Sequence, residues 1–128
     1  MKKILVADRE KAFCLLYQEE LTEEGYDVVG VTKMEDLMQA LKMENPDLLL
    51  MDDGMHGKDM GNFLEWMRKS GYGLPIILFT RHAVSLEFPD SLVNDTVVKS
   101  SSLDELKFKI RRIEMNGDKR VSNAMTLS

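Results

Sequence analysis

The sequence has few of the features that mark secreted, membrane-bound or nucleic-acid-binding proteins. It contains one cysteine, Cys14, so no internal disulfide can form, which favours a reducing compartment. The apolar run near the N-terminus stops at Asp8, too early for a signal peptide, and no run approaches the length of a membrane span. The 17 basic residues are outnumbered by 22 acidic ones, which gives no electrostatic footprint for nucleic acid. We therefore predict a cytoplasmic protein that binds neither nucleic acid nor membrane.

Short apolar runs alternate with segments of helical periodicity along the chain. The runs span residues 4–7, 28–31, 48–51, 75–79 and 96–98. An apolar run without polar alternation suits a strand that is buried on both faces, as in a parallel sheet. The pattern predicts an α/β fold of the doubly wound type, with five parallel strands in the order 2-1-3-4-5 and helices on both faces.

The length of the chain, 128 residues, suits one domain. Gly117 follows the apolar stripe of the last predicted helix, and glycine is a common residue just beyond a helix end. We predict a domain over residues 1–117 and a polar, disordered tail over residues 118–128.

Polar residues follow four of the five apolar runs. Asp8 follows the first run, Asp52 the third, Thr80 the fourth and Lys99 the fifth. Because the carboxyl ends of parallel strands meet at one edge of a sheet, we expect these side chains to surround one crevice.

Each of these residues also has an ordinary structural interpretation. Asp8 suits the N-cap of the first helix, and Asp52 suits the start of a loop. Thr80 is typical of a strand end, and most lysines, Lys99 included, would be solvated. The combination of two acids, a hydroxyl and an amine on one edge is harder to explain structurally, so it favours a functional site.

The four residue types suit phosphoryl transfer to an aspartate. A carboxylate can act as a nucleophile and carry an acyl phosphate. Mg²⁺ prefers one or two carboxylates together with water and phosphate oxygens. A lysine pairs with a phosphate oxygen, and a threonine hydroxyl can move to donate a hydrogen bond to it.

At four places the sequence resembles the receiver domains of two-component response regulators. The segments are Lys3-Ile4-Leu5-Val6-Ala7-Asp8, Pro46-Asp47-Leu48-Leu49-Leu50-Met51-Asp52, Pro75-Ile76-Ile77-Leu78-Phe79-Thr80 and Val97-Val98-Lys99. The resemblance covers residues 2–115 and implies a flavodoxin-like fold. It implies a signalling domain, CheY-like in type, that is not an enzyme beyond self-catalysed phosphorylation and dephosphorylation.

The resemblance also implies partners and roles for single residues. A histidine kinase or phosphotransfer protein would phosphorylate Asp52, with Thr80 as the switch hydroxyl and Lys99 as the phosphate contact. Mg²⁺ would be held by Asp8, Asp52 and the backbone of Gly54. An unnamed downstream protein would read the switched surface, and the sequence leaves a homodimer open.

Several residues depart from the family pattern. Arg9 stands where a second acid usually follows the residue matching Asp8, so it either pairs with Asp52 in the metal's place or points into solvent. Glu10 and Asp53 are candidates to replace the missing acid. In addition, Ser100 replaces the usual proline after the lysine, Thr96 the aromatic switch residue, and His56 a loop proline.

Two other classes of function stay open at this point. The departures at Arg9, Thr96 and Ser100 favour a pseudo-receiver, a protein-binding module that has lost phosphorylation. An enzyme or nucleotide binder on the same architecture is the third class. It has less support, because the stretch after the first run is charged rather than glycine-rich.

Overall fold

A computed structural model describes residues 3–55, 59–81, 88–89, 91–99 and 102–127. In these ranges the chain forms five strands and four helices. Their order is β1 (Lys3–Ala7), α1 (Lys11–Glu23), β2 (Asp27–Val31), α2 (Met34–Met43), β3 (Leu48–Asp52), α3 (Met60–Lys69), β4 (Ile76–Thr80), β5 (Asp95–Val98) and α4 (Leu103–Leu127). All four strand pairings are parallel and the sheet order is β2-β1-β3-β4-β5. The predicted α/β fold and strand order are confirmed.

Alternate residues of the central strands enter two separate cores. Leu5 of β1 and Leu49 of β3 pack on the face covered by α2 and α3. Their neighbours Ile4 and Leu48 pack on the face covered by α1 and α4. Side chains alternate across a strand, so a strand covered on both sides needs apolar residues at every position. This requirement explains the unbroken apolar runs of the sequence.

The end of α1 agrees with the sequence, and the end of α4 does not. Gly25 has φ = +98°, a left-handed conformation that suits glycine just beyond a helix. Gly117, in contrast, was expected to end the last helix, and that prediction is wrong because α4 continues to Leu127. A glycine inside a helix costs about 1 kcal/mol relative to alanine but keeps its amide donor, so it does not stop a helix as proline does. The division into a domain over residues 1–117 and a disordered tail over residues 118–128 stays a prediction.

The connection from β4 to β5 is only partly described. Residues 82–87 and 90 of this connection lie outside the described residues. Before β5 the amides of Leu92 and Val93 both donate to the carbonyl of Pro89, which forms a tight turn. In the part of the chain that is described, no helix is long and apolar enough to cross a membrane.

Candidate functional site at the carboxyl edge of the sheet

The four polar residues predicted at the strand ends lie at the carboxyl edge of the sheet. Asp8 follows β1 directly, Asp52 and Thr80 are the last residues of β3 and β4, and Lys99 follows β5. Asp8 and Asp52 are fully buried, and Thr80 and the Lys99 side chain are nearly so. The strand ends meet at one edge because the pairings are parallel and each strand is shifted by only one residue relative to its neighbour.

Lys99 joins the two aspartates. Its Nζ lies 3.0 Å from Asp8 Oδ2 and 3.4 Å from Asp52 Oδ1. Its backbone amide donates to the carbonyl of Thr80 at 2.7 Å, which holds the residue at the end of β5. The ordinary interpretation of Lys99 as a solvated lysine is therefore wrong, because its side chain is only 4% exposed.

An aromatic ring supports the Lys99 ammonium from the side of α1. Nζ lies 4.6 Å from the centre of the Phe13 ring, a cation–π distance. Phe13 stacks on Tyr17, which stacks in turn on Phe79 of β4 with ring centres 4.3 Å apart. Sequence reasoning missed Phe13, although its position on the first turn of α1, soon after Asp8, places it at this edge.

Asp8 combines a local structural role with a place in the site. Its Oδ1 accepts a hydrogen bond from the Glu10 amide at 2.8 Å just before α1, but the N-cap of α1 is Glu10, so the interpretation of Asp8 as the N-cap is wrong. Its Oδ2 faces Lys99. Burial raises the pKa of Asp8 above its ordinary value; the Lys99 contact and charge oppose this shift, and the charge of Asp52 adds to it.

The Asp52 carboxylate has a cation near each of its oxygens. Oδ1 accepts a hydrogen bond from the Gly54 amide at 3.2 Å and lies near Lys99. Oδ2 lies 3.3 Å from Nε of Arg9. Of the two interpretations of Arg9, the structure therefore shows the ion pair with Asp52, although the Arg9 side chain is 53% exposed.

The Arg9 guanidinium packs against the backbone of Gly54. A Cβ on Gly54 would lie 2.5 Å from Cζ and Nη2 of Arg9, closer than real contacts allow. The guanidinium therefore lies directly against this glycine. The role of the Gly54 backbone as a metal ligand stays a prediction.

A further ion pair, between Arg81 and Glu10, lies next to Lys99. The Arg81 guanidinium pairs with the Glu10 carboxylate. Glu10 Oε1 also lies 3.8 Å from Lys99 Nζ. Arg81 was missed by the sequence analysis, and the available signal was its position directly after Thr80 at the same sheet edge.

The residues present do not fit a Mg²⁺ ion in the way that the resemblance implies. Asp8 Oδ2 and Asp52 Oδ2 are buried without a well-directed hydrogen bond, as a metal-binding oxygen would be before binding. However, each of these atoms faces a cation, Lys99 or Arg9. Among the described residues no group of three or more acidic, histidine or cysteine side chains could hold a metal ion. The donor set is that of an ion-pair network rather than of a divalent cation site.

Of the other residues named from the sequence, two lie in parts of the chain that the structure does not describe, and two lie on or beside strands. His56 and Ser100 lie outside the described residues. Thr96 lies on β5, where its carbonyl accepts a hydrogen bond from Nζ of Lys109 at 2.7 Å. Asp53 donates its backbone amide to the carbonyl of Phe79.

Comparison with known proteins gives relatives by sequence along most of the chain. The family model described as response regulator receiver domain matches residues 4–111. The probable transcriptional regulator ycf27 of Porphyridium aerugineum is 30% identical over 125 residues, 95% of this chain and 52% of that protein. The alkaline phosphatase synthesis transcriptional regulatory protein PhoP of Bacillus subtilis (strain 168) is 29% identical over 117 residues, 88% of this chain and 48% of that protein. The chain thus spans about half the length of these curated relatives.

Solved structures agree with the sequence matches. The response regulator TrrA of Thermotoga maritima, solved in complex with Mg²⁺-BeF, is 32% identical with a TM-score of 0.76, covering 88% of this chain and 99% of that chain. A CheY-like receiver domain protein of Methanospirillum hungatei JF-1 has a TM-score of 0.82 over 94% of this chain and 98% of that chain. Its identity of 22% shows the fold alone. This chain therefore belongs to the response regulator receiver family of two-component signalling, with an arginine facing its central aspartate.

Proposed function

We propose that the domain accepts a phosphoryl group on Asp52 and that this modification switches a protein-binding surface. The observation that carries the proposal is the position of Asp52. Its carboxylate is fully buried at the carboxyl edge of the central strand, with Lys99 Nζ at 3.4 Å and Arg9 Nε at 3.3 Å. These two cations support the proposal, because they would pair with the oxygens of an incoming phosphoryl group.

The transfer step needs a donor with a labile phosphoryl group. A histidine kinase or a histidine phosphotransfer protein would supply phosphohistidine. An oxygen of Asp52 forms the new P–O bond as the P–N bond breaks, and the released imidazole takes a proton from solvent. Lys99 and Arg9 then stabilise the charge on the phosphoryl oxygens, since they already face the carboxylate that receives it.

Thr80 is the proposed switch residue. It is the last residue of β4, is almost fully buried, and directly follows Phe79, the residue of β4 that pairs with Asp52. Its hydroxyl would donate a hydrogen bond to a phosphoryl oxygen. The carbonyl of Thr80 already accepts a hydrogen bond from the amide of Lys99, so a shift of Thr80 would also move the end of β5.

The surface that responds is proposed to dock a downstream protein, with no role for nucleic acid in this chain. Phe108 on α4 is a candidate for this surface, because its aromatic side chain is 55% exposed. The proposal includes a cytoplasmic location, a histidine kinase or phosphotransfer protein as the donor, and one unnamed downstream protein.

A pseudo-receiver is the second candidate function, and one specific contact favours it. The Arg9 guanidinium occupies one side of the Asp52 carboxylate and lies against Gly54. If that ion pair holds against a phosphoryl donor, the domain keeps its fold and binds partners without modification.

The intact mass of the protein after incubation with acetyl phosphate distinguishes the two functions. The full chain is incubated once with Mg²⁺ and once with EDTA, and Asp52→Asn serves as the control. A phosphoryl mass shift in either condition that is absent from the control supports phosphorylation of Asp52. A lack of any shift in both conditions, with the fold intact by circular dichroism, contradicts it and favours the pseudo-receiver.

A further inference from the structure

We infer that Arg9 takes the place of the divalent cation in this receiver, so that its phosphorylation site works without Mg²⁺ and excludes the ion. The inference deepens the proposed function and, in its second part, rests on it. The first part concerns metal binding alone, and it stands on the geometry of Arg9, Gly54 and Asp52.

The position of Arg9 is set by its neighbours in the fold. It follows Asp8, so its backbone lies at the carboxyl edge of β1, beside β3. Its side chain meets the one oxygen of Asp52 that Lys99 does not contact. The absence of a side chain at Gly54 leaves room for the guanidinium, which a Cβ would strike at 2.5 Å.

The side chains joined by these ion pairs carry equal numbers of negative and positive charges. The ion pairs connect three carboxylates, Asp8, Glu10 and Asp52, with three cations, Arg9, Arg81 and Lys99. A divalent cation would add two positive charges beside Arg9 and Lys99 and would have only two fully buried carboxylates to bind it. Its entry therefore requires Arg9 to leave Asp52.

The same balance suits a phosphoryl group better than a metal ion. A phosphoryl group carries a charge of about −1.5 to −2 at neutral pH, so transfer to Asp52 replaces one negative charge by roughly two. Lys99 and Arg9 then face a stronger anion than before. The planar guanidinium can donate two parallel hydrogen bonds to phosphoryl oxygens, which is the role that a metal ion plays by coordination.

The first test measures metal binding with Mn²⁺, which takes the same oxygen ligands as Mg²⁺ and is detected by electron paramagnetic resonance. The variants are Arg9→Asp, which supplies the missing acid, Arg9→Ala, which only removes the guanidinium, and Arg112→Asp. Arg112 is exposed on α4, with its guanidinium over the ring of Phe108, so it controls for the change of charge.

Arg9→Asp is expected to bind Mn²⁺ at least about 10-fold more tightly than the parent chain, the low end of what one partner of a metal site contributes. Arg9→Ala should fall between them, and Arg112→Asp should match the parent. Arg9→Ala keeps the test decisive if Arg9→Asp does not fold. A parent chain that binds Mn²⁺ as tightly as either Arg9 variant would overturn the inference.

The second test compares labelling by acetyl phosphate in EDTA and in Mg²⁺. The parent chain should gain the phosphoryl mass to the same extent in both, whereas Arg9→Asp should gain it only with Mg²⁺. If the parent is labelled only with Mg²⁺, this inference fails and the proposed function stands. If the parent is labelled in neither condition, the proposed function fails, and the Mn²⁺ result still decides whether Arg9 excludes the metal.

Discussion

The two edges of the sheet hold charged side chains in opposite ways. At the amino edge the Arg68 guanidinium of α3 donates to four backbone carbonyls, those of Tyr72, Leu74, Ser91 and Leu92, at 2.6–3.2 Å. At the carboxyl edge Asp8, Asp52 and Lys99 face one another at similar distances, yet one atom of each lacks a well-directed hydrogen bond.

The difference separates a charge with fixed partners from charges that can change partners. Carbonyls are fixed by the backbone and cannot change charge, so Arg68 ties the end of α3 to the segments that enter β4 and β5. Burial lowers the pKa of Arg68 but leaves it a cation. Carboxylates and an ammonium with unused hydrogen-bonding capacity can exchange partners, as the proposed phosphorylation of Asp52 requires.

The largest effect is expected from Lys99→Met at the carboxyl edge. Removal of the ammonium leaves Asp8 and Asp52 buried with less compensating charge, and loss of one partner of a buried ion pair costs about 3–5 kcal/mol. Urea unfolding at pH 7, followed by circular dichroism, measures the free energy of unfolding.

Two further variants test whether the loss of stability in Lys99→Met comes from the uncompensated carboxylates. Lys99→Met combined with Asp8→Asn should recover part of the lost stability, because it removes one uncompensated carboxylate. Lys69→Met, at an exposed lysine of α3, controls for the substitution itself. A loss below about 1 kcal/mol for Lys99→Met would contradict a stabilising role for the buried ammonium.

A somewhat smaller effect is expected from Arg68→Met at the amino edge. Hydrogen bonds to a charged donor contribute about 1.5–3 kcal/mol each, but water reaches part of this edge, so we expect a total loss of about 2–3 kcal/mol. Labelling of Asp52 by acetyl phosphate should be unchanged. Arg68→Lys should also lose stability, since an ammonium cannot span the four carbonyls. Loss of labelling in a folded Arg68→Met protein would show that the two edges are coupled.

The smallest effect is a dependence of stability on pH through Asp8. Burial raises the pKa of Asp8 in the folded state above its ordinary value of 3.8, so the folded chain binds this proton more tightly than the unfolded chain. As the pH rises from below 3.8 through the raised pKa, the parent chain should lose stability relative to Asp8→Asn.

The pH dependence is measured as the difference in unfolding free energy between Asp8→Asn and the parent chain. That difference should favour Asp8→Asn more at pH 7 than at pH 3.5, with Asp36→Asn, at an exposed residue of α2, as the control for one lost charge. The opposite trend would mean that Lys99 outweighs burial at Asp8.

The sequence by itself determined the strand order and the four residues at the site. Unbroken apolar runs such as Leu48–Met51 have only one stable placement, between two layers of helices, and the residue after each run must then lie at one edge. Asp8, Asp52, Thr80 and Lys99 followed from this periodicity, which is a local property of the chain.

Only the tertiary structure decided how the charges pair. From the sequence Arg9 could equally point into solvent or at Asp52, and the outcome depends on the space left by Gly54, far along the chain. The carbonyls that hold Arg68 belong to loops brought together by two strands. The course of α4 past Gly117 was also missed, because one glycine weakens a helix without ending it. Which charges pair depends on the distances between segments that are far apart in the chain, and the periodicity of the sequence carries no information on those distances.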